Sequence, residues 1–337
     1  MNDTITRQQR SEAASVESDA RTTSGGDALL REQLQRAGYI ADEGLAAVMW
    51  LACELQRPLL VEGDAGVGKT ALAIALARAE GRRLVRLQCH EGLDLSQAAY
   101  EWNYGRQLLA IRVLEAQAAI VNESDLFSRD YLLERPLLQA ISSDVPCVLL
   151  IDEIDRADEA FEAFLLEVLS DYQISVPELG TVRARYVPRV LLTSNGTREL
   201  SDALRRRCLF HWLDYPTLAR EIAIVRSAVP TAEGALVEQA VGFVQRLRKE
   251  DLGKTPGVAE TLDWVRALHR MRMEALPDDP HGLTATLGCL LKTRDDLFQL
   301  TPEHVQKLID GRRTEGVAVK TAQSSSGIAD GHCAALP

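Results

Sequence analysis

Apolar positions along the chain follow two different periods. From Arg57 to Pro216, short unbroken apolar strings recur: "RPLLVEG", "RLVRLQC", "PCVLLIDE", "PRVLLTSN" and "RCLFHWLDYP". They are rich in Leu, Val and Ile and bounded by Gly, Pro or charge, the pattern of strands buried on both faces of a parallel sheet. Between them lie amphipathic stretches such as "TALAIALARAE" and "DEAFEAFLLEVLSDY". Strand and helix patterns that alternate in this way predict a layered α/β domain. After Pro216 the strand-like strings stop. "TLAREIAIVRSAV", "GALVEQAVGFVQRLRKE", "GVAETLDWVRALHRMRMEAL" and "LTATLGCLLKTRDDLF" read as successive helices, punctuated by Pro230, Pro256, Pro277 and Pro280, because a residue preceding proline is driven out of the helical region.

This gives four segments. Residues 1–26 are polar and end in Gly25 and Gly26, so a flexible arm is expected, and residues 313–337 share that character. Residues 27–215 are the expected α/β core and 216–312 the all-helical domain. The balance of 46% hydrophobic and 26% charged residues in 337 fits an ordinary globular chain with a sizeable core. A formal net charge of -11 repels a phosphate backbone at long range, which argues against nonspecific nucleic-acid binding as the main role. The six cysteines form no C-x-x-C pair and sit mostly in apolar strings, as in a reducing compartment. With no bilayer-length apolar run and no signal-like N-terminus, a cytoplasmic location is expected, with recruitment to the inner membrane face only through a partner.

Candidate chemistry concentrates in four places. "VEGDAGVGKT" fits G-x-x-x-x-G-K-[ST] at Gly63, Gly68, Lys69 and Thr70, directly after an apolar string and before a helix. Glycines let backbone N–H groups of Gly63, Asp64, Ala65, Gly66, Val67, Gly68 and on to Ala71 converge on an anion, and the helix adds its positive N-terminal end. Lys69 would reach the outer phosphates and Thr70 would ligate Mg²⁺. "CVLLIDEID" places Asp152 at a strand tip to hold the metal, with Glu153 beside it to polarise a water. Asn195 ends the string "VLLTSN", where a neutral amide can orient water or touch a γ-phosphate. Arg205, Arg206 and Arg207 are consecutive, so on a helix they fan over several faces, and one is free to reach a neighbouring copy's phosphate.

At these four motifs the chain resembles the AAA+ ATPases, and more narrowly their MoxR branch, over roughly residues 27–312. The resemblance implies a P-loop module with a parallel five-stranded sheet ordered 5-1-4-3-2, a C-terminal helical lid, ATP and Mg²⁺ as cofactors, and nucleotide held between subunits of a homo-oligomeric, hexameric ring. In those terms Gly63 to Thr70 match Walker A, Asp152 and Glu153 Walker B, and Asn195 sensor 1. Arg207 best matches the arginine finger, with Arg206 a close second. Residues 94–135 occupy the place of a helix 2 insert and 173–186 that of a hairpin before sensor 1. Tyr39 and Ile40, in "GYIADEG", match residues that lie against adenine in relatives; core burial is an equal alternative. The lid departs from the family: "KTPGVAETLDW" offers Ala259 and Glu260 where a sensor 2 arginine is usual, with Lys254 as a substitute.

"DLSQAAYEWNYGRQLLAIR", "LSDALRRRCLFHWLDYP" and "PGVAETLDW" look like the MoxR subgroup tied to maturation of carbon monoxide dehydrogenase. That likeness implies an apo-metalloenzyme client, a molybdenum hydroxylase, and a von Willebrand factor A-type adaptor. Trp102 and Tyr104 are candidates to grip a polypeptide, with plain packing as the alternative. Arg183 and Arg185 share one face of the expected hairpin. "QCHEG" sets Cys89, His90 and Glu91 in a row, but adjacent strand residues point to opposite faces and do not converge on one ion. A DNA-acting motor, a scaffold that binds ATP without turnover, and a small-molecule kinase are the competing readings.

Overall fold

The computed structural model describes residues 25–117, 126–277, 279–309 and 311. The chain divides between Asp214 and Tyr215 into two compact units. The expected arm before Gly25 and the expected tail lie outside the described residues.

Among the described residues of the first unit, nine strands form one large sheet and two small ones. Strands β1 (Leu59–Glu62), β2 (Arg83–Gln88), β5 (Cys147–Asp152), β8 (Arg189–Ser194) and β9 (Leu209–Trp212) make the large sheet in the order β2-β5-β8-β1-β9, every pairing parallel. Numbered by chain order within that sheet alone, the arrangement is 5-1-4-3-2, as the resemblance implies. The five apolar strings are these five strands. Cys147 to Asp152 are buried without exception, which is why no polar alternation marks the string.

Parallel strands align their C-terminal ends, so register decides what gathers there. Leu59 pairs with Leu191 on one side and Leu209 on the other, and Gln88 pairs with Asp152. The end of β1, the end of β5 and the end of β8 are thereby neighbours.

The two small sheets are β3 (Tyr100–Trp102) with β4 (Leu132–Glu134), and β6 (Gln173–Val176) with β7 (Gly180–Arg183), both antiparallel. The second is a hairpin in the place expected for one, its loop carrying Glu178 at φ 66°. The first closes the insert at its two ends, around the helix Tyr104–Ala116. Trp102 is buried and meets Phe127 edge-on, ring centroids 5.2 Å apart. Its ring therefore belongs to the core, whereas Tyr104 is 61% exposed.

The second unit is helical, with helices Leu218–Ala228, Gly234–Leu247 and Val258–Arg270. Fully buried Trp264 and Phe243 centre its core, their rings 5.1 Å apart. The fourth expected helix, "LTATLGCLLKTRDDLF", is instead three short pieces: Pro280–Thr284, Leu287–Cys289 and Arg294–Gln299. Thr286 breaks it, donating its hydroxyl to the Leu283 carbonyl while accepting from Trp264 Nε1 at 2.8 Å. Thr293 then caps the next piece by accepting from Asp296 N–H. Among the described residues no helix is long and apolar enough to cross a membrane.

A candidate nucleotide site at the strand tips

The loop from Gly63 to Gly68 joins β1 to the helix Lys69–Ala79. Its middle, Asp64 to Gly66, is exposed, whereas Gly63 and Val67 are buried, so the loop is pinned at its flanks and open at its crown. At Gly63 a Cβ would fall 2.3 Å from the Leu213 carbonyl oxygen, which excludes any side chain. Gly68 caps the helix at φ 105°, a left-handed conformation that glycine adopts without penalty. The Tyr39 ring lies over Gly68, its Cε2 3.8 Å from where a Cβ would stand. Tyr39 is thus beside the loop, and Ile40 follows it, half-buried.

Lys69 is buried, and its ammonium donates to the carbonyls of Gly63 at 2.6 Å and Asp64 at 2.7 Å. Burial lowers its affinity for a proton, opposed by the charges of Asp155, Asp64, Asp152 and Glu153. The side chain is therefore folded back along the loop it would serve.

Thr70 Oγ1 lies 3.1 Å from both carboxylate oxygens of Asp152. Asp152 is buried, accepts from Thr193 Oγ1 as well, and receives Arg86 Nη2 at 2.6 Å. A hydroxyl beside a carboxylate is an all-oxygen donor pair, the kind a hard cation such as Mg²⁺ takes while keeping several waters. With the open crown of the loop above them, these residues fit a nucleotide triphosphate with Mg²⁺, Thr70 and Asp152 being the ones that would hold the metal.

Glu153 adopts φ 56°, ψ 50°, a left-handed conformation that costs a non-glycine residue about 1 kcal/mol or more. Its N–H donates to Thr193 Oγ1 at 3.0 Å, and its carboxylate pairs with Arg156 at 3.1 Å. Asn195, Glu153, Asp155, Thr197 and Arg198 line one cleft. Asp155 ties that cleft together by accepting from Thr197 N–H at 3.0 Å and Thr197 Oγ1 at 2.6 Å. Burial alone would raise its pKa, but the hydrogen bonds from Thr197 and Asn195 hold it below the usual carboxylate range. The turn bearing Asn195 is thus fastened to the strand end bearing Glu153. Nothing in the sequence marked Asp155 or Arg86 for these roles, since each meets its partner across strands far apart in the chain.

The three arginines of the helix Asp202–Arg207 do part ways. Arg205 donates to buried Glu62 at 2.8 Å. Arg207 donates to Ser170 Oγ at 2.7 Å and to the Ala203 carbonyl at 3.1 Å. Arg206 is exposed, and its guanidinium has no hydrogen bond among the described residues. Arg57, just before β1, donates to the carbonyls of Arg206 and Arg207. Their backbone therefore sits at the end of β1 opposite the phosphate loop, about 15 Å away by strand rise.

In the helical unit, Glu260 accepts from Gly257 N–H at 3.0 Å and Ala259 is exposed. Glu260 thereby serves its own helix start. The Arg248 side chain is buried in this unit and donates to both Glu221 oxygens at 2.7 Å and to the Pro256 carbonyl. Cys53, Cys89, Cys147 and Cys208 are buried thiols, and burial pushes Cys89 and Cys208 up to about 12. No cluster of three or more His, Cys, Asp or Glu suited to a metal occurs among the described residues.

A glycine loop after one parallel strand, an acid pair at the end of another and an amide at the end of a third make the arrangement of a P-loop module. Residues 58–208 match the family model of the AAA domain (dynein-related subfamily). The gas vesicle ATPase GvpN1 of Halobacterium salinarum is 29% identical over 212 residues, covering 59% of this chain and 58% of that protein. The gas vesicle ATPase GvpN of Haloferax mediterranei is 29% identical over 213 residues, again covering 58% of its own length. The chain thus spans less than two thirds of these relatives. Among solved structures, the RuvB P216G mutant of Thermotoga maritima matches with a TM-score of 0.45 at 18% identity, covering 79% of this chain and 73% of that one.

Proposed function

We propose that the chain is an ATP-hydrolysing AAA+ ring chaperone whose active site is completed by a second copy. The observation that carries this is the gathering of Lys69, Thr70, Asp152, Glu153 and Asn195 at one end of the sheet while Arg206 and Arg207 stand at the other. Lys69 would exchange its two loop carbonyls for phosphate oxygens. Glu153 would orient a water and accept its proton, and Asn195, braced through Asp155, would fix the far side of that water. Mg²⁺, when bound, neutralises charge on the outer phosphates. An arginine from the neighbouring copy would stabilise the spreading charge; exposure favours Arg206, although the resemblance ranks Arg207 first. Glu153→Gln should retain ATP binding and lose about 100-fold or more in turnover. A Glu153→Gln protein that still releases phosphate at the original rate removes Glu153 from this role.

The narrower reading, a CoxD-type ATPase that opens an apo-metalloenzyme for metal insertion with a von Willebrand factor A-type adaptor in a hexamer, is supported by the "EWNYGRQLL" segment, which phosphate chemistry does not demand. A second reading, action on a gas vesicle component, is favoured by the names of the relatives. Trapping the Glu153→Gln form with ATP in its native cells separates them: a molybdenum hydroxylase in the eluate supports the first, and a gas vesicle protein the second. A DNA-acting motor would instead recover chromatin and show steeply salt-dependent filter binding.

A further inference from the structure

Asp152 carries an ion pair that the phosphate-loop chemistry does not require. Arg86 stands on β2, one strand over, two residues before the Gln88 that pairs with Asp152. Its Nη2 donates to Asp152 Oδ2 at 2.6 Å and to Gln88 Oε1 at 2.6 Å. The Asp152 side chain is 4% exposed and that of Arg86 is 50% exposed. One partner is fixed in the core, and the other lies half in water.

The Asp152 carboxylate has about four acceptor positions. Thr70 and Thr193 hydroxyls and the Arg86 guanidinium already address them. A buried carboxylate needs a compensating charge, and Arg86 provides one at Oδ2, one of the two oxygens that face Thr70 and that a hydrated cation there would use. Two cations on one carboxylate repel each other. The one with a half-exposed side chain can leave at small cost, since water solvates a guanidinium on a flexible stem.

We propose that Arg86 is a displaceable counter-cation for Asp152, competing with Mg²⁺ for that carboxylate and so setting the Mg²⁺ concentration at which the site takes nucleotide. This rests on the reading of the site as a Mg²⁺–ATP site and adds a positioning residue to it. In the opposite arrangement Arg86 would be a permanent brace that orients Asp152 for the metal. The two differ in sign: a competitor removed makes Mg²⁺ bind more readily, and a brace removed makes it bind less readily.

The experiment measures equilibrium binding of a fluorescent, non-hydrolysable ATP analogue to the full chain while Mg²⁺ is titrated, for the unmodified protein, Arg86→Gln and Arg86→Lys. Arg86→Gln is expected to lower the half-maximal Mg²⁺ concentration by about five-fold or more, a modest factor because Arg86 is half exposed. Arg86→Lys, which keeps the charge but not the planar fork, is expected to fall between. A half-maximal concentration that is unchanged or raised in Arg86→Gln overturns the proposal. Thermal unfolding supplies a second measure independent of nucleotide. In EDTA, Arg86→Gln should melt below the unmodified protein, and Mg²⁺ alone should raise its midpoint more than it raises that of the unmodified protein; equal responses to Mg²⁺ overturn the proposal. Failure of the unmodified protein to bind the analogue at any Mg²⁺ concentration overturns the nucleotide reading itself, a result distinct from binding that persists without a shift.

Discussion

At the scale of single residues, the site is made of positions where ordinary side chains are excluded or strained. Gly63 has no room for a methyl group because the Leu213 carbonyl oxygen occupies the space, and Leu213 is itself held by its N–H to the Glu62 carbonyl at 2.7 Å. Gly63→Ala must therefore push the start of the loop away from the chain after β9. We expect a loss of about 1–3 kcal/mol in urea unfolding, together with weaker binding of an ATP analogue. An unchanged unfolding midpoint would mean that the Leu213 segment yields instead. Glu153 is strained in a different sense: its backbone is left-handed where β5 ends. The motif spacing picked out residues that the fold gathers at the strand ends, since G-x-x-x-x-G-K-T and an acid pair after an apolar string are local patterns. It did not show their partners. Asp155 with Thr197 and Arg86 with Asp152 meet only after β5, β8 and β2 have aligned, and no local period encodes that.

Among elements, the same contrast explains what was legible. The strings of β1, β5 and β8 stood out because strands buried on both faces need a continuous run of Leu, Ile and Val, whereas the edge strands β2 and β9 carry apolar strings although alternate positions are exposed. The β3–β4 pair did not stand out, because three-residue strands thirty positions apart leave no period to find. The last helical string was read as one helix, yet Thr286 turns its hydroxyl to the backbone and to Trp264, and the helix ends there. The helical unit also hides a charged pair. Glu221 and Arg248 are almost wholly buried, joined by two hydrogen bonds of 2.7 Å, with Thr261 and Gln245 donating to the same carboxylate. Removing one member strands the other in the core. Glu221→Ala should cost about 3–5 kcal/mol in unfolding of this unit followed by Trp264 fluorescence, and Glu221→Leu with Arg248→Met should recover most of it. If the single substitution costs under about 1 kcal/mol, water reaches Arg248 and the pair is not a core feature.

For the whole molecule, the decisive question is whether one copy can complete its own site. Arg57 holds the Arg206 and Arg207 carbonyls at the start of β1, whereas the phosphate loop begins where β1 ends. An arginine side chain extends about 7 Å from its Cα by bond lengths alone, less than the run of the strand. Arg205 nonetheless reaches Glu62 at the edge of the loop of its own chain, but Arg207 is turned to Ser170 and Ala203 and Arg206 to solvent, so those two are the ones left to act on a neighbour. That dictates a complementation experiment. Lys69→Ala removes phosphate binding but leaves the arginines; Arg206→Ala with Arg207→Ala leaves the phosphate site and removes both guanidinium groups. Each should be nearly inactive alone, and equal mixtures should regain a substantial part of the phosphate release, because intact sites then face intact arginines. The single variants apportion the role: loss in Arg206→Ala alone follows from its exposure, whereas loss in Arg207→Ala alone requires that side chain to leave Ser170 and Ala203 on assembly. Full activity in the double variant, with no dependence on protein concentration, would show that hydrolysis needs no neighbour and would leave the site a single-copy nucleotide pocket.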